Sequence, residues 1–137
     1  MLVLLIAALA PACTRSDPEA ALRARMAGLA SAIEAADPAA VQQFLAVDFI
    51  GNDGLDRNGA RRLALGYRLR HRDIGLTVGP ADVQMAPGHA TVQCKVVLRG
   101  GSGGALPDNA GIYDVESGWR LESGEWMLVS ARWRPAI

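Results

Sequence analysis

The chain has 137 residues, half of them hydrophobic and a fifth charged, and its 14 basic and 14 acidic side chains leave no net charge. This length suits one domain with a hydrophobic core, and the composition excludes a disordered chain and a membrane bundle. A net charge of zero provides no overall field that would attract nucleic acid. We therefore expect one globular domain that does not bind nucleic acid.

The chain opens with MLVLLIAALAPAC, an apolar run that ends at a cysteine. The run is too short for a membrane-spanning helix, which needs about twenty residues, and it has the length of a signal-peptide core. Small residues directly before Cys13 resemble the lipobox of bacterial lipoproteins, in which the peptide is cut before the cysteine and the thiol carries a diacylglycerol. We expect a signal peptide over residues 1–12, and a lipidated Cys13 with a short polar tether over residues 13–18. The alternative is a buried N-terminal helix with a core cysteine.

The lipobox resemblance implies a location in the bacterial cell envelope, on the periplasmic side. Thr14, rather than an aspartate, follows the cysteine, and this implies the outer membrane. Cys94 alternates with apolar residues, which predicts a buried thiol on the apolar face of a strand. A disulfide between Cys13 and Cys94 is the alternative, and lipidation of Cys13 would prevent it.

Three helices are predicted in the first half of the chain. Asp17-Pro18-Glu19 is a helix start, and Asp37-Pro38 ends that helix and begins a second, which we expect to end near Phe49. The turn-rich stretch GNDGLDRNG follows. Asp56 or Asn58 then begins a third helix that runs to about His71.

The second half of the chain reads as strands, in the stretches IGLTVGPADVQM, HATVQCKVVLRG, AGIYDVESGWRL and EWMLVSARW. These strands are broken by Gly-Pro, by Pro-Gly, by a glycine-rich loop and by Glu-Ser-Gly. Helices followed by a mostly antiparallel sheet make an α+β plan. The loop GGSGGALPDN lacks the lysine of a phosphate loop, so we expect a hairpin loop. For the last hairpin, segregation of apolar residues favours a three-residue loop over residues 122–124, which places Trp126 and Leu128 on the charged face.

A cluster of arginines marks the third helix. It comprises Arg57, Arg61, Arg62, Arg68, Arg70 and Arg72, together with His71. These arginines lie on both sides of the helix, which favours a solvated face balanced by neighbouring acids. The alternative is a patch for anionic lipid head groups or an anionic partner.

The order of these elements resembles the nuclear-transport-factor-2-like (SnoaL-like) superfamily. The matching residues are Asp48-Phe49, Asn52-Asp53-Gly54, Trp119-Arg120, Ser123-Gly124, Trp126 and Trp133. The resemblance covers residues 19–133 and implies a domain over residues 19–137. In such a domain, three N-terminal helices pack in a strongly curved, mostly antiparallel sheet, which forms a cone with a pocket. It also implies frequent homodimers formed through the sheet.

The superfamily includes isomerases, cyclases, dehydratases, epoxide hydrolases and catalytically silent binders. The ketosteroid-isomerase pattern needs a tyrosine on the first helix, and this helix has none. The epoxide-hydrolase pattern needs an Asp-Arg-Asp set; Asp114 and Arg132 are expected as cross-strand neighbours on the charged face, where a surface ion pair explains them. No nucleophile–base pair and no metal-ligand spacing is present. We therefore expect neither metal nor cofactor.

The resulting hypothesis is a lipid-anchored, non-catalytic envelope domain that binds a small apolar ligand or an envelope protein. The aromatic residues Tyr67, Tyr113, Trp119 and Trp133 are the candidate ligand contacts, and core packing is the alternative for each. The alternative function is a small isomerase or hydrolase-like enzyme. It would use Asp48 as a general base whose pKa is raised in an apolar pocket, together with Tyr67 or His71.

Overall fold

The computed structural model describes residues 17–70, 73–101 and 109–136. The predictions for Cys13, His71 and most of the glycine-rich loop fall outside these residues. The helices are α1 (Pro18–Glu34), α2 (Pro38–Gln43) and α3 (Arg57–Arg70), and a 3₁₀ turn spans Asn52–Gly54. The strands are β1 (Leu45–Ile50), β2 (Asp73–Val78), β3 (Asp82–Ala86), β4 (His89–Gly101), β5 (Asn109–Glu122) and β6 (Glu125–Pro135).

Aspartate side chains begin all three helices, as predicted. The Asp17 carboxylate accepts from the Glu19 amide at 3.1 Å, and that of Asp37 accepts from Ala40 at 3.1 Å. For α3, Asp56 accepts from the Gly59 amide at 2.6 Å, which decides between the two predicted caps. Each contact satisfies an amide that the first helical turn leaves unpaired.

One sheet of mixed direction carries the helices. Its strand order is β1-β6-β5-β4-β2, with β3 also paired to β4. All pairs are antiparallel except β1 with β6, which is parallel. The helices pack against one face of this curved sheet, so the predicted α+β fold is confirmed.

The predicted length of the second helix is wrong. This helix ends at Gln43, and Leu45–Ile50 form the edge strand β1. The Leu128 amide donates to the Phe44 carbonyl at 2.9 Å, which starts the pairing with β6. Burial of Leu45 and Phe49 against the sheet outweighs any local preference for helix.

The predicted three-residue loop of the last hairpin is also wrong. Glu122 pairs with Glu125, and the two-residue turn between them has positive φ at Ser123 (50°) and Gly124 (82°). Such two-residue turns follow the twist of the strands. Next to the turn, β5 and β6 therefore pair in a register that differs from the predicted one.

A bulge explains why a tight turn still segregates apolar side chains. Trp119 pairs with Leu128, whereas Gly118 pairs with Ser130, so one extra residue lies in β6 between these pairs. In β6, the side chains that face the core have even residue numbers before the extra residue and odd residue numbers after it. Trp126 and Leu128 are therefore core residues and do not lie on the charged face.

The core lies between α1 and the concave face of the sheet. Its buried members are Leu22, Leu45, Phe49, Ala90, Val92, Trp119, Trp126, Leu128 and Ala131. Cys94 follows Ala90 and Val92 on the same strand face and is a half-buried free thiol. In the part of the chain that the structure describes, no helix is long and apolar enough to cross a bilayer.

Candidate ligand-binding site

An open cavity of about 600 Å³ lies between the 3₁₀ turn, the start of α3 and the end of β6. Its lining residues are Asn52, Asp53, Gly54, Leu55, Asp56, Gly59, Arg62, Leu63 and Trp133. The apolar part is the Trp133 indole with two leucines, and the polar part is one amide, two carboxylates and one guanidinium. The cavity therefore offers an apolar wall together with convergent polar groups, which suits a small molecule that has both kinds of surface.

The backbone of Trp133 is held by the side chain of Asn52. The Asn52 Nδ2 donates to the Trp133 carbonyl at 2.7 Å, and the Trp133 amide donates to Asn52 Oδ1 at 3.1 Å. The last pair between β1 and β6 is Ile50 with Ser130. The Asn52 amide thus completes the edge of β6 where β1 has ended.

The Trp133 indole packs closely over Gly51. A Cβ at Gly51 would lie 3.3 Å from ring atoms Cη2 and Cζ3 of Trp133, so a larger residue would require a small shift of the indole. The loop itself is closed by hydrogen bonds from the Gly51 amide to the Leu55 carbonyl at 2.7 Å and from the Leu55 amide to the Asn52 carbonyl at 3.0 Å. The loop over residues 51–55, which forms one side of the cavity, is therefore held by hydrogen bonds between residues close in sequence.

The charged side chains of the cavity have different roles. The Asp56 carboxylate accepts a hydrogen bond from the Gly59 amide of α3, whereas Asp53 and Arg62 are exposed. Asp53 has a positive φ of 55°, which the following turn requires. Arg62 has no hydrogen bond or ion pair to another described residue, so its guanidinium can meet an incoming polar group.

The four predicted aromatic contacts are not gathered at one site. Trp133 lines the cavity, whereas Trp119 is only 3% exposed and donates from Nε1 to Ser117 Oγ at 3.0 Å inside the core. Tyr113 is half-buried with its ring over Gly111, and Tyr67 is half-buried on α3 with the Arg70 guanidinium 5.9 Å from its ring centre. Neither tyrosine lines this cavity.

Asp48 lies outside the cavity, in contrast to the predicted position of a general base. Its side chain is 62% exposed and forms a two-pronged ion pair with Arg120, at 2.8 Å and 3.1 Å. Arg120 also contacts Glu122 at 2.9 Å. The hydrogen bonds from Arg120 lower the pKa of Asp48, which is the opposite of the direction that base catalysis would need.

The predicted cross-strand pairing of Asp114 with Arg132 is wrong by two residues along β6. Asp114 lies opposite Arg134 on β6 and makes its ion pair with Lys95, at 2.7 Å. The hydrogen bond from Lys95 lowers the pKa of Asp114. In the described ranges, no three histidine, cysteine or acidic residues are grouped in a way that could hold a metal ion.

A second cavity, of about 320 Å³, lies at the start of α1, beside the turn between β3 and β4. Residues 17–19 and 85–88 line it together with Leu121 and Trp126. It is smaller, and its contacts come mostly from the turn and the helix end. Sequence reasoning missed both cavities, although the predicted Asn52-Asp53-Gly54 turn and Trp133 were signals for the larger one.

Comparisons with known proteins identify the fold. No family model matches the sequence, and no curated protein matches it. Solved structures do match. A provisionally named scytalone dehydratase from Novosphingobium aromaticivorans has a TM-score of 0.77 at 14% identity, over 85% of this chain and 83% of that one.

Two further solved structures have the same fold as this chain. A provisionally named dehydratase of the NTF2-like family from Streptomyces avermitilis has a TM-score of 0.72 at 14% identity, with coverage of 85% and 94%. An NTF2-like protein with a cystatin-like fold from N. aromaticivorans has a TM-score of 0.70 at 15% identity, with coverage of 86% and 81%. At these identities the likeness concerns the fold alone. The described chain therefore has the NTF2-like, cystatin-like fold.

Proposed function

We propose that the protein is a non-catalytic binding domain that holds a small, mostly apolar ligand in the cavity at Trp133. The observation that carries this proposal is the indole of Trp133, a residue whose backbone is held by Asn52; the indole packs over Gly51 beside Leu55 and Leu63. A preformed wall lowers the cost of ordering side chains when a ligand binds. Arg62 at the rim favours a ligand that carries a polar or anionic end.

In this proposal, Asp48 has a structural role in the ion pair with Arg120. The enzyme alternative requires Asp48 to take a proton, and a solvent-exposed carboxylate with a lowered pKa is a weak base. Dehydratases occur among the structures with this fold, yet a shared fold does not carry an activity.

Binding of an anionic, apolar dye such as anilinonaphthalene sulfonate tests the cavity. We compare Leu63→Glu with Leu65→Glu, because both leucines lie on α3 with similar exposure, 44% and 46%, and only Leu63 lines the cavity. We expect saturable binding of one dye per chain, weakened at least about ten-fold by Leu63→Glu, which removes apolar surface and repels the anion, and changed little by Leu65→Glu. Equal effects of the two substitutions, or no saturable binding, would overturn the proposal.

We also propose that a lipid on Cys13 anchors the domain on the periplasmic side of the outer membrane. The support is the sequence pattern alone: a short apolar run, small residues and then the cysteine. The intact mass of the protein extracted from its native membrane tests this. A chain that begins at Cys13 and carries a diacylglycerol is the expected result. A chain that retains residues 1–12 would contradict it, and a retained ligand would appear as an added mass in either case.

A further inference from the structure

The outer surface of α3 combines exposed leucines with arginines. Leu65 is 46% exposed and Leu69 is 78% exposed, which makes Leu69 one of the most exposed large apolar side chains in the described part of the chain. At about 100° per residue, Arg68, Arg61, Leu65, Leu69 and Arg62 follow each other around the helix within an arc of about 120°, which also contains Asn58 in the first turn. We call these five residues the α3 outer face.

The α3 outer face is exposed at Leu65, Arg68 and Leu69, whereas nearer the helix start Arg61 reaches Gln42 and Arg62 lies at the rim of the cavity. Gly59 is buried and Ala60 packs against the core, and both lie on the opposite side of the helix. Tyr67, also on that side, is half-buried. The arginines therefore stand on both sides of two exposed leucines. Beyond the first turn this differs from a solvated helix face, on which the central positions would be polar.

The positive charge of this face is not balanced within the domain. α3 has five arginines and no acidic residue. Two of the arginines are held by the domain itself: Arg57 donates from Nε to the Leu45 carbonyl at 3.1 Å, and Arg70 donates from Nε to the Gly66 carbonyl at 3.2 Å. Neither of these two belongs to the outer face.

The arginines of the outer face have few contacts. Arg61 reaches the Gln42 side-chain oxygen at 3.3 Å, and for Arg62 and Arg68 no hydrogen bond or ion pair exists within the described ranges. Every ion pair found there involves residues outside α3. The nearest acids along the chain are Asp53 and Asp56 before the helix and Asp73 after it, at the start of β2; none of the three forms an ion pair with an α3 arginine within the described ranges. The outer face therefore offers unpaired guanidinium groups beside exposed apolar surface.

We propose that the α3 outer face docks on an anionic lipid surface. Leucines flanked by arginines match a bilayer interface, because the leucines enter the acyl boundary while the long arginine side chains reach the phosphate groups. An acidic protein partner would pair with the arginines and would gain less from Leu69, which projects beyond the helix surface. Each arginine near an anionic membrane strengthens the attraction, so the charge and the leucines act together.

Vesicle sedimentation tests the charge requirement. We use the full chain with Cys13→Ser, so that no lipid is attached, and vesicles of phosphatidylcholine with or without phosphatidylglycerol. We expect preferential binding to the anionic vesicles, reduced at least about ten-fold by Arg61→Gln with Arg68→Gln. The matched control is Arg132→Gln with Arg134→Gln, which removes two exposed arginines from the outer side of the sheet and should change binding less than two-fold.

A second pair of variants tests insertion of the leucines. Leu69→Ser should weaken binding to anionic vesicles several-fold, whereas Leu121→Ser, at a leucine that is 43% exposed on β5, should not. Circular dichroism confirms that each variant remains folded. Equal losses from the α3 and sheet arginine pairs, or binding that ignores phosphatidylglycerol, would overturn the proposal. Loss of binding with the arginine pair but none with Leu69→Ser would also overturn it, because it would indicate purely ionic adsorption on the head groups without entry of the leucines into the acyl boundary.

Discussion

The two hydrogen bonds from Asn52 to the Trp133 backbone lead to a specific prediction about stability. Replacing Asn52 with alanine removes both bonds, at 2.7 Å and 3.1 Å, and leaves a half-buried amide and carbonyl of β6 without protein partners. A typical hydrogen bond contributes about 0.5–1.5 kcal/mol net, so two contribute about 1–3 kcal/mol. Because water reaches this strand edge and replaces part of each bond, we expect Asn52→Ala to lower the free energy of unfolding by about 1–2 kcal/mol.

Asn58→Ala is the matched control. Asn58 makes one exposed side-chain contact, accepting from Gln42 Nε2 at 3.1 Å, and its loss should cost less than about 0.5 kcal/mol. Urea unfolding followed by circular dichroism measures both free energies. Hydrogen exchange at the Trp133 amide should also accelerate in Asn52→Ala only.

A third variant separates the two bonds. In Asn52→Asp, a carboxylate oxygen still accepts from the Trp133 amide, but the other oxygen faces the Trp133 carbonyl without a hydrogen to donate. We expect a loss of stability at neutral pH that shrinks as the pH falls and the carboxyl is protonated, because the protonated form regains a donor. Equal free energies for Asn52→Ala and Asn58→Ala, or a pH-independent loss in Asn52→Asp, would refute this account of the Trp133 wall.

Four further predictions concern the core, the surface charges, the thiol and the assembly state. Leu22→Ala, at a leucine that is 0% exposed, should cost about 2–5 kcal/mol in urea unfolding, whereas Leu65→Ala should change stability by less than about 0.5 kcal/mol; similar values would contradict the described core. The pKa of Asp48 is lowered in the folded protein from its ordinary value of 3.8. The ionised Asp48 therefore stabilises the folded state fully at a pH above 3.8, and this contribution is lost as the pH falls through the lower pKa of the folded state. Asp48→Asn should therefore flatten the acid limb of the stability profile, and an unchanged profile would argue against the ion pair with Arg120. Burial raises the pKa of the Cys94 thiol from its ordinary value of 9.0. In the variant Cys13→Ser, a thiol reagent should therefore modify Cys94 slowly in the folded chain and quickly in urea. Equal rates in the two conditions would indicate that the Cys94 thiol is accessible to solvent in the folded chain. Sedimentation at micromolar concentration tests the predicted homodimer, and a clean monomer would exclude dimerisation through the sheet at that concentration.

Much of the fold was predictable because its signals are local. Each helix start depends on an aspartate and an amide two or three residues later, so Asp17 and Asp37 were sufficient to locate α1 and α2. The α+β order was likewise readable from the alternation of strand residues in the second half of the chain. These features need no information about distant residues.

The candidate site was only partly predictable, because its parts come from distant segments. Asn52 and Trp133 are 81 residues apart, and their two hydrogen bonds depend on where β1 ends. Asp48 was expected in the pocket because members of the superfamily that the sequence resembles often have a pocket carboxylate at this place. As a residue of β1, its side chain turns outward to Arg120 instead. Its direction depends on the pairing of β1 with β6, which is a long-range contact.

The sequence by itself determined the helix starts, the positions of β2 to β6 and the order of helices before the main sheet. Tertiary structure decided that Leu45–Ile50 is a strand, because its partner β6 lies about 80 residues away and no local preference specifies that pairing. Tertiary structure also decided which tryptophans are buried, because one bulged residue in β6 reverses the inward and outward positions on either side of it. Only after both decisions does Trp133 meet Asn52 and form the wall of a cavity.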